Sequence, residues 1–377
     1  MKKEVSVLKS AISVFALIGI VVLAGCGGGG KPRAFVGQWV HYEGKWRWFD
    51  SVNKIELFKD GTGIVAGTAT SWKVENRRFV LLSPSFAQSY NYNLSGSELT
   101  FINDDNDSTI YVKKGSAKSF IVEGNKAWNT GNADSAISLF SEAIKLDSKL
   151  SEAYRYRAKI YKIEKHDYDQ AIADFSKAIK LNPSDKAYNE RAETYIAMED
   201  YDNAIADYTQ VIQLTPDEDE SEKYNAYETR AGLYVKKGDY DKAIADYTEV
   251  IRIRPDDVNG YIVRAGVYLS KLKDYDNAID DYTYVIQMRP GFAGAYNNLC
   301  WAYGNKGEYD KAIEVCNQGI RLNSRNANLY HSRGFAYLGK KDYDSAIDDF
   351  AKALRLDPNH NDAKVDIDKA GRAKAGL

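Results

Sequence analysis

Residues 342–350 read Asp-Tyr-Asp-Ser-Ala-Ile-Asp-Asp-Phe, and variants of this stretch recur along most of the chain. Its Ala-Ile pair begins at residues 136, 171, 204, 243, 278, 312 and 346. A second motif, Tyr-Xaa-Xaa-Arg-Ala/Gly-Xaa-Xaa-Tyr, precedes it, as in Tyr188 to Tyr195 and Tyr330 to Tyr337. The apolar residues of both motifs have helical spacing, and intervals of 33 to 39 residues are typical of one short unit repeated many times. Each unit is therefore predicted to be a pair of helices.

Small and aromatic residues follow one fixed order in these units, and a proline closes most of them. In the last unit the order is Tyr330, Gly334, Tyr337, Ala346, Phe350, Ala353 and Pro358. This order, kept in seven units over about residues 117–360, resembles the tetratricopeptide repeat family. The resemblance implies an all-α, right-handed superhelix of seven helix-turn-helix repeats. Residues 361–377 are then expected to form a C-terminal cap helix and tail.

The N-terminus has the parts of an export signal in residues 1–25. Lysines precede the apolar run 11–23, which is too short for a comfortable membrane span. The run ends in Leu23-Ala24-Gly25-Cys26, which resembles the lipobox of bacterial lipoproteins. That resemblance implies that Cys26 is lipidated and that residues 26–33 are the lipidated cysteine with a glycine-rich tether. The alternative is an uncleaved anchor helix, and both alternatives keep the rest of the chain outside the cytoplasm.

Residues 34–114 follow a different pattern, with short runs that are rich in β-forming residues and are separated by hairpin-type turns. The eight runs are 37–40, 55–58, 63–65, 71–74, 79–82, 90–94, 99–102 and 109–112. They predict a small antiparallel β-barrel or meander domain. The opening Gly37-Gln38-Trp39 and the later Ser71-Trp72-Lys73-Val74-Glu75 resemble lipocalin-like domains of bacterial lipoproteins. Such a domain either holds a ligand cavity or is a packed spacer or docking module.

Neither composition nor motifs indicate catalysis, a cofactor or a metal. The net charge is −2, so the chain lacks the basic character that nucleic-acid binding requires. The four histidines show no metal-ligand spacing; they are His41, His166, His331 and His360. The sequence also contains no nucleophile elbow and no phosphate loop. We therefore expect a non-enzymatic protein without cofactor or metal and without a nucleic-acid partner.

The family resemblance also implies where a partner would bind. In this family the first helix of each pair lines a concave groove, with positions 2, 5, 9 and 12 as the usual contacts. The groove is charged in the second unit, at Arg155, Lys159 and Lys162. Later units supply the candidate contacts Ile262, Asn297, Trp301, His331 and Phe335. Trp and Phe carry much of the energy of protein interfaces, and Asn297 is suited to a peptide backbone. The alternative for Trp301 and Phe335 is burial between helices.

Two cysteines remain beyond Cys26, and they belong to one repeat. Cys300 stands at the small first-helix position, and Cys316 stands at the aromatic second-helix position where the two helices touch. In an oxidising envelope such a pair is a disulfide candidate. The alternative is a pair of buried thiols.

Comparison of the repeats reveals a recurrent pair of charges. Five units carry an Arg one place before the small first-helix residue, namely Arg157, Arg191, Arg230, Arg264 and Arg333. The same five carry an Asp one place before the second-helix aromatic, namely Asp174, Asp207, Asp246, Asp281 and Asp349. The first and sixth units lack both residues. We predict a charge-assisted Arg–carboxylate bond within each of the five units, not between neighbouring units. The alternative is that both residues are solvated.

These observations predict a membrane-tethered, non-enzymatic scaffold whose repeat groove binds a peptide or protein partner. The alternative is a small-ligand-binding lipoprotein, with the β domain as sensor and the repeats as a stalk. Gly27, not Asp, follows the lipobox cysteine, and in some Gram-negative lineages an Asp there retains lipoproteins at the inner membrane. We therefore expect a lipid-anchored protein of the bacterial cell envelope, at the outer membrane or cell surface.

Overall fold

The computed structural model describes residues 115–376 and, before them, eight β-strands. The predicted signal segment, Cys26 and the tether lie outside the described residues. The strands are β1 Gly37–Gly44, β2 Ile55–Leu57, β3 Thr62–Val65, β4 Thr68–Glu75, β5 Arg78–Ser83, β6 Phe86–Ser95, β7 Glu98–Ile102 and β8 Ser108–Lys113. Each strand pairs antiparallel with the next, and β1 also pairs with β8, so the sheet closes into a barrel.

Seven helix pairs follow the barrel, as the repeat pattern predicts. The first helices are α1 Ala117–Asn129, α3 Ser151–Ile160, α5 Asp185–Ala197, α7 Glu220–Lys237, α9 Val258–Val267, α11 Ala293–Lys306 and α13 Ala327–Gly339. The second helices are α2 Ala133–Leu146, α4 Tyr168–Leu181, α6 Tyr201–Leu214, α8 Tyr240–Ile253, α10 Tyr275–Met288, α12 Tyr309–Leu322 and α14 Tyr343–Leu356. A last helix, α15 Asn361–Ala375, packs against α14. The chain divides into two compact units, Met1–Thr194 and Tyr195–Leu377.

Local sequence signals set the boundaries between the paired helices. Side chains at the N-caps of five second helices accept a hydrogen bond from the backbone N–H three residues on; these are Asn132, Asp167, Asp200, Asp274 and Asp342. The turn before each second helix contains one residue with positive φ. In three repeats this residue is a glycine, namely Gly131, Gly238 or Gly307. In the other four it is His166, Glu199, Lys273 or Lys341. At α3 and α9 a π-helical turn precedes it, at Tyr161–Lys165 and Tyr268–Leu272.

The core forms where small residues of first helices meet aromatic residues of second helices. A Cβ atom added to Gly334 would lie 2.7 Å from the Phe350 ring, and one added to Gly124 would lie 2.7 Å from Phe140. Both phenylalanines are fully buried. The fixed order of small and aromatic residues is therefore the pattern of contact between the two helices of each repeat.

Within the described residues, no helix is both long and apolar enough to cross a bilayer.

Candidate partner-binding face

The first helices of the last two repeats pack directly against each other. In the second compact unit, α11 contacts α13, and Ser332 Oγ donates a hydrogen bond to Asn297 Oδ1 at 3.0 Å. We call inner face the surface formed by the fifth and ninth positions of the repeats in this unit, counted from Tyr224, Val258, Ala293 and Ala327. The fifth-position row is Glu228, Ile262, Asn297 and His331, and the ninth-position row is Gly232, Gly266, Trp301 and Phe335.

Trp301 and Phe335 form an aromatic pair on this face. Their ring centroids are 4.7 Å apart, and both side chains are half-buried. Phe335 also lies against the backbone of α11, because a Cβ at Gly304 would be only 3.2 Å from its ring. The rings are thus packed on one side and remain accessible on the other. Such partly desolvated aromatic surfaces can anchor a partner.

His331 is placed differently from a groove contact, since it is only 6% exposed. Its Nε2 lies 3.0 Å from Asp366 Oδ2, and its ring centroid lies 4.7 Å from that of His360. Burial lowers the pKa of His331 below its ordinary value, although the Asp366 carboxylate acts in the opposite direction. The buried His331 ring stacks on Trp301 with centroids 5.8 Å apart, so it packs against the aromatic pair from inside the protein.

Asn297 and Ile262 are both partly engaged in internal contacts. Asn297 accepts from Ser332 and donates to Asn298 Oδ1 at 3.3 Å, and Asn298 in turn donates to Tyr282 Oη at 3.3 Å. Ile262 is half-buried against a small cluster of apolar core residues that includes Val258. Asn297, one helical turn before Trp301, therefore links α11 to α13, and Ile262 belongs to the apolar packing of its own repeat.

The charged residues of the second repeat are paired with the third. Arg155 Nη1 lies 2.9 Å from Glu190 Oε1, and Lys159 Nζ lies 3.3 Å from the same oxygen. Lys162 Nζ contacts Glu193 at 2.5 Å. These ion pairs join α3 and the π-helical turn after it to α5, so the positive charge at this end of the predicted groove is largely neutralised within the protein.

The predicted Arg–Asp bond is confirmed in four repeats, where both guanidinium nitrogens Nε and Nη2 contact the carboxylate at 2.7–2.9 Å. The pairs are Arg157–Asp174, Arg230–Asp246, Arg264–Asp281 and Arg333–Asp349. The carboxylate side chains are only 7–9% exposed. In the remaining repeat, Arg191 donates to Ser176 Oγ at 2.8 Å, and Asp207 is buried.

The same arginines also reach the preceding repeat, which the Arg–Asp pattern alone did not predict. Their Nη1 atoms donate to Ser141, Ser176, Thr209, Thr248 and Asn317. Each acceptor directly follows the second-helix aromatic position of its repeat. The sequence contained only a partial signal: the last repeat, which no arginine follows, carries Ala351 at this position, but the fifth repeat carries Thr283 although Leu299 replaces the following arginine. In the four repeats with an Arg–Asp bond, the arginine thus joins the two helices of its own repeat to the repeat before it.

Cys300 and Cys316 form a disulfide, as the first of the two alternatives predicted. Their Cα atoms are 5.5 Å apart, and both residues are fully buried. The bond stands where other repeats place a small residue against an aromatic ring. It is a covalent substitute for that contact between α11 and α12.

Reduction of this disulfide is expected to lower the free energy of unfolding by about 2–3 kcal/mol, because the bond closes a short loop and so restricts the unfolded chain. The measurement is urea denaturation of a Cys26→Ser protein with and without reductant. The matched control is the same protein carrying Cys300→Ala and Cys316→Ala, whose midpoint should not respond to reductant. Two reactive thiols in the oxidised, denatured protein would contradict the assignment.

No group of three or more His, Cys, Asp or Glu residues suited to a metal ion occurs between residues 115 and 376 or in the other described positions. A small cleft of about 120 Å³ lies between α3 and α5 and includes Arg155 and Lys186 in its lining. Arg155 is already paired with Glu190 there. The arrangement that stands out chemically is therefore the aromatic pair on the inner face.

Models of the tetratricopeptide repeat match the chain over an uninterrupted stretch. The matched residues are 121–185, 183–256, 228–293, 293–326 and 327–360. Together they span residues 121–360 of the 377 in the chain.

Solved structures of repeat proteins resemble the chain as well. The C-terminal part of a repeat-containing protein from Cytophaga hutchinsonii is 17% identical with a TM-score of 0.51, and the match covers 64% of this chain and 97% of that one. A tetratricopeptide repeat protein from Parabacteroides merdae is 19% identical with a TM-score of 0.40, over 67% of this chain and 98% of that one. At 17% identity, the likeness to the Cytophaga hutchinsonii structure concerns the fold alone.

Proposed function

Because this chain belongs to the tetratricopeptide repeat family, we propose that its inner face binds a peptide or protein partner and that the protein is a non-enzymatic interaction scaffold. The observation that carries this proposal is the pair Trp301 and Phe335. The two rings come from neighbouring first helices, contact each other and remain half-exposed. Aromatic residues that are held rigidly at a partly desolvated surface lose little conformational entropy when a partner binds.

Affinity capture from the native cell envelope, with the mature protein as bait, tests this proposal. We expect a discrete partner to be retained, and we expect its retention to require Trp301 and Phe335. Binding that does not change when both rings are removed would contradict the proposal.

We further propose that the scaffold is a lipid-anchored protein of the bacterial envelope, with the β domain between the anchor and the repeats. The lipobox-like Leu23-Ala24-Gly25-Cys26 supports this location. The disulfide between Cys300 and Cys316 agrees with it, because disulfides persist in oxidising compartments and are rare in the cytosol. The strands of the β domain are compatible with a lipocalin-like barrel.

Replacing Cys26 with Ser is expected to release the protein from the membrane fraction, because the lipidated residue is lost while the rest of the export signal is unchanged. Fractionation and metabolic labelling with a fatty acid in a bacterial host measure this. A Cys300→Ser, Cys316→Ser variant is the control and should still be labelled. A Cys26→Ser protein that stays fully membrane-bound would instead support an uncleaved anchor helix.

A further inference from the structure

Two glycines continue the row of Trp301 and Phe335 along the inner face. Gly232 of α7 and Gly266 of α9 occupy the ninth position of their repeats, where the next two repeats carry the aromatic rings. Both glycines lie inside helices, and neither has positive φ. Glycine is the costliest residue inside a helix after proline, so each of these positions calls for a physical reason.

Packing does not supply that reason. A Cβ added to Gly232 would meet no atom within 4 Å, and one added to Gly266 would meet only Tyr282 Oη at 3.9 Å. By contrast, a Cβ at Gly334 would lie 2.7 Å from Phe350, so the fold requires glycine there. Gly232 and Gly266 therefore leave the backbone of two helices bare although a side chain would fit. Bare helix backbone permits the close approach of another chain.

A carboxylate stands one turn before Gly232 on the same helix. Glu228 is half-buried, and among residues 115–376 its carboxylate makes no side-chain hydrogen bond and no ion pair. Burial, followed by the negative charge of Glu228, raises the pKa of Tyr247. By comparison, Glu190 on α5 holds both Arg155 and Lys159. A half-buried carboxylate without a counter-charge is a binding position for a cation.

We propose that the inner face of the fourth to seventh repeats binds an extended peptide segment that carries one basic and one large apolar side chain. The basic side chain pairs with Glu228, the peptide main chain crosses Gly232 and Gly266, and the apolar side chain rests on Trp301 and Phe335. This inference rests on the proposed function and specifies the chemistry of the partner. The unpaired charge selects the basic residue, and the bare backbone at Gly232 and Gly266 admits the close approach of a peptide main chain.

The test is selection of random decapeptides displayed on phage against the mature protein, followed by affinity measurement on a selected peptide by fluorescence anisotropy. We expect enrichment of peptides in which Lys or Arg is separated by several residues from Trp, Phe or Leu. Glu228→Gln is expected to weaken the selected peptide about tenfold and to abolish the preference for the basic residue in a repeated selection.

The glycines make a sharper test, because stability and binding should change in opposite directions. The double variant Gly232→Ala, Gly266→Ala is expected to melt at a higher temperature, since alanine favours the helix, yet to bind the peptide at least tenfold more weakly. Gly371→Ala is the matched control. A Cβ at Gly371 in α15 also meets no atom within 4 Å, so this variant should gain stability without losing affinity.

The outcomes separate this inference from the proposed function. If Trp301→Ala weakens binding while the glycine double variant and Glu228→Gln bind like the parent, this inference is wrong and the proposed function stands. If no peptide is enriched, or if Trp301→Ala has no effect, both are wrong. Selection of acidic peptides, or binding of a second copy of the chain that ignores Glu228, would also overturn this inference.

Discussion

Replacing Asp246 with Ala is expected to lower the free energy of unfolding by about 3–4 kcal/mol, because it leaves Arg230 without its carboxylate in a largely buried site. The side chains of Arg230 and Asp246 are 14% and 7% exposed. Arg230 also bonds to Thr209 of the preceding repeat at 2.9 Å. Loss of the carboxylate therefore disturbs both the contact within the repeat and the contact between repeats.

Urea denaturation followed by circular dichroism measures this effect, and helix α8 offers a matched control. Glu249 pairs with Arg252 at 2.8 Å, but these side chains are 37% and 67% exposed. Glu249→Ala is therefore expected to cost less than about 1 kcal/mol. An Asp246→Leu, Arg230→Met double variant should recover part of the loss, because no unpaired charge remains buried. Equal effects of Asp246→Ala and Glu249→Ala would show that the Arg–Asp pair is merely solvated.

The helix pairs and the Arg–Asp bonds were predictable because the seven repeats of one chain can be compared with one another. Seven copies show which residues vary freely and which keep a fixed place. The repeats that lack both Arg and Asp then indicate that the two residues belong together. The same comparison made the disulfide one of two alternatives, because Cys300 and Cys316 occupy the small and aromatic positions, which pack together in the first and last repeats.

Contacts that occur in only one repeat could not be predicted by comparing the repeats with one another. His331 has the sequence position of a groove residue, but α15 follows the last repeat and brings Asp366 and His360 against it. No other first helix has that neighbour. Likewise, the sequence positions of Arg155 and Lys159 suggest an open charged groove, but in the structure Glu190 of the next first helix, α5, pairs with both. Such pairings depend on which side chains meet across helices, which the spacing within one helix does not determine.

Binding to the inner face is the central claim, and Trp301 and Phe335 should dominate it. Each ring is expected to contribute about 2 kcal/mol or more, so removing both should cost at least about 4 kcal/mol, or roughly a thousandfold in affinity. Both rings are half-buried and contact each other, so neither substitution removes a fully buried core residue.

The most direct measurement is calorimetric titration of the captured partner into the parent protein and into the Trp301→Ala, Phe335→Ala variant. Phe292→Ala is the matched control, because Phe292 is 43% exposed and lies at the N-cap of α11, the helix that carries Trp301, but outside the inner face. Circular dichroism should show unchanged helicity in all three proteins. We predict that the double variant loses detectable binding while Phe292→Ala binds like the parent. A double variant that remains folded and binds within threefold of the parent would contradict the claim.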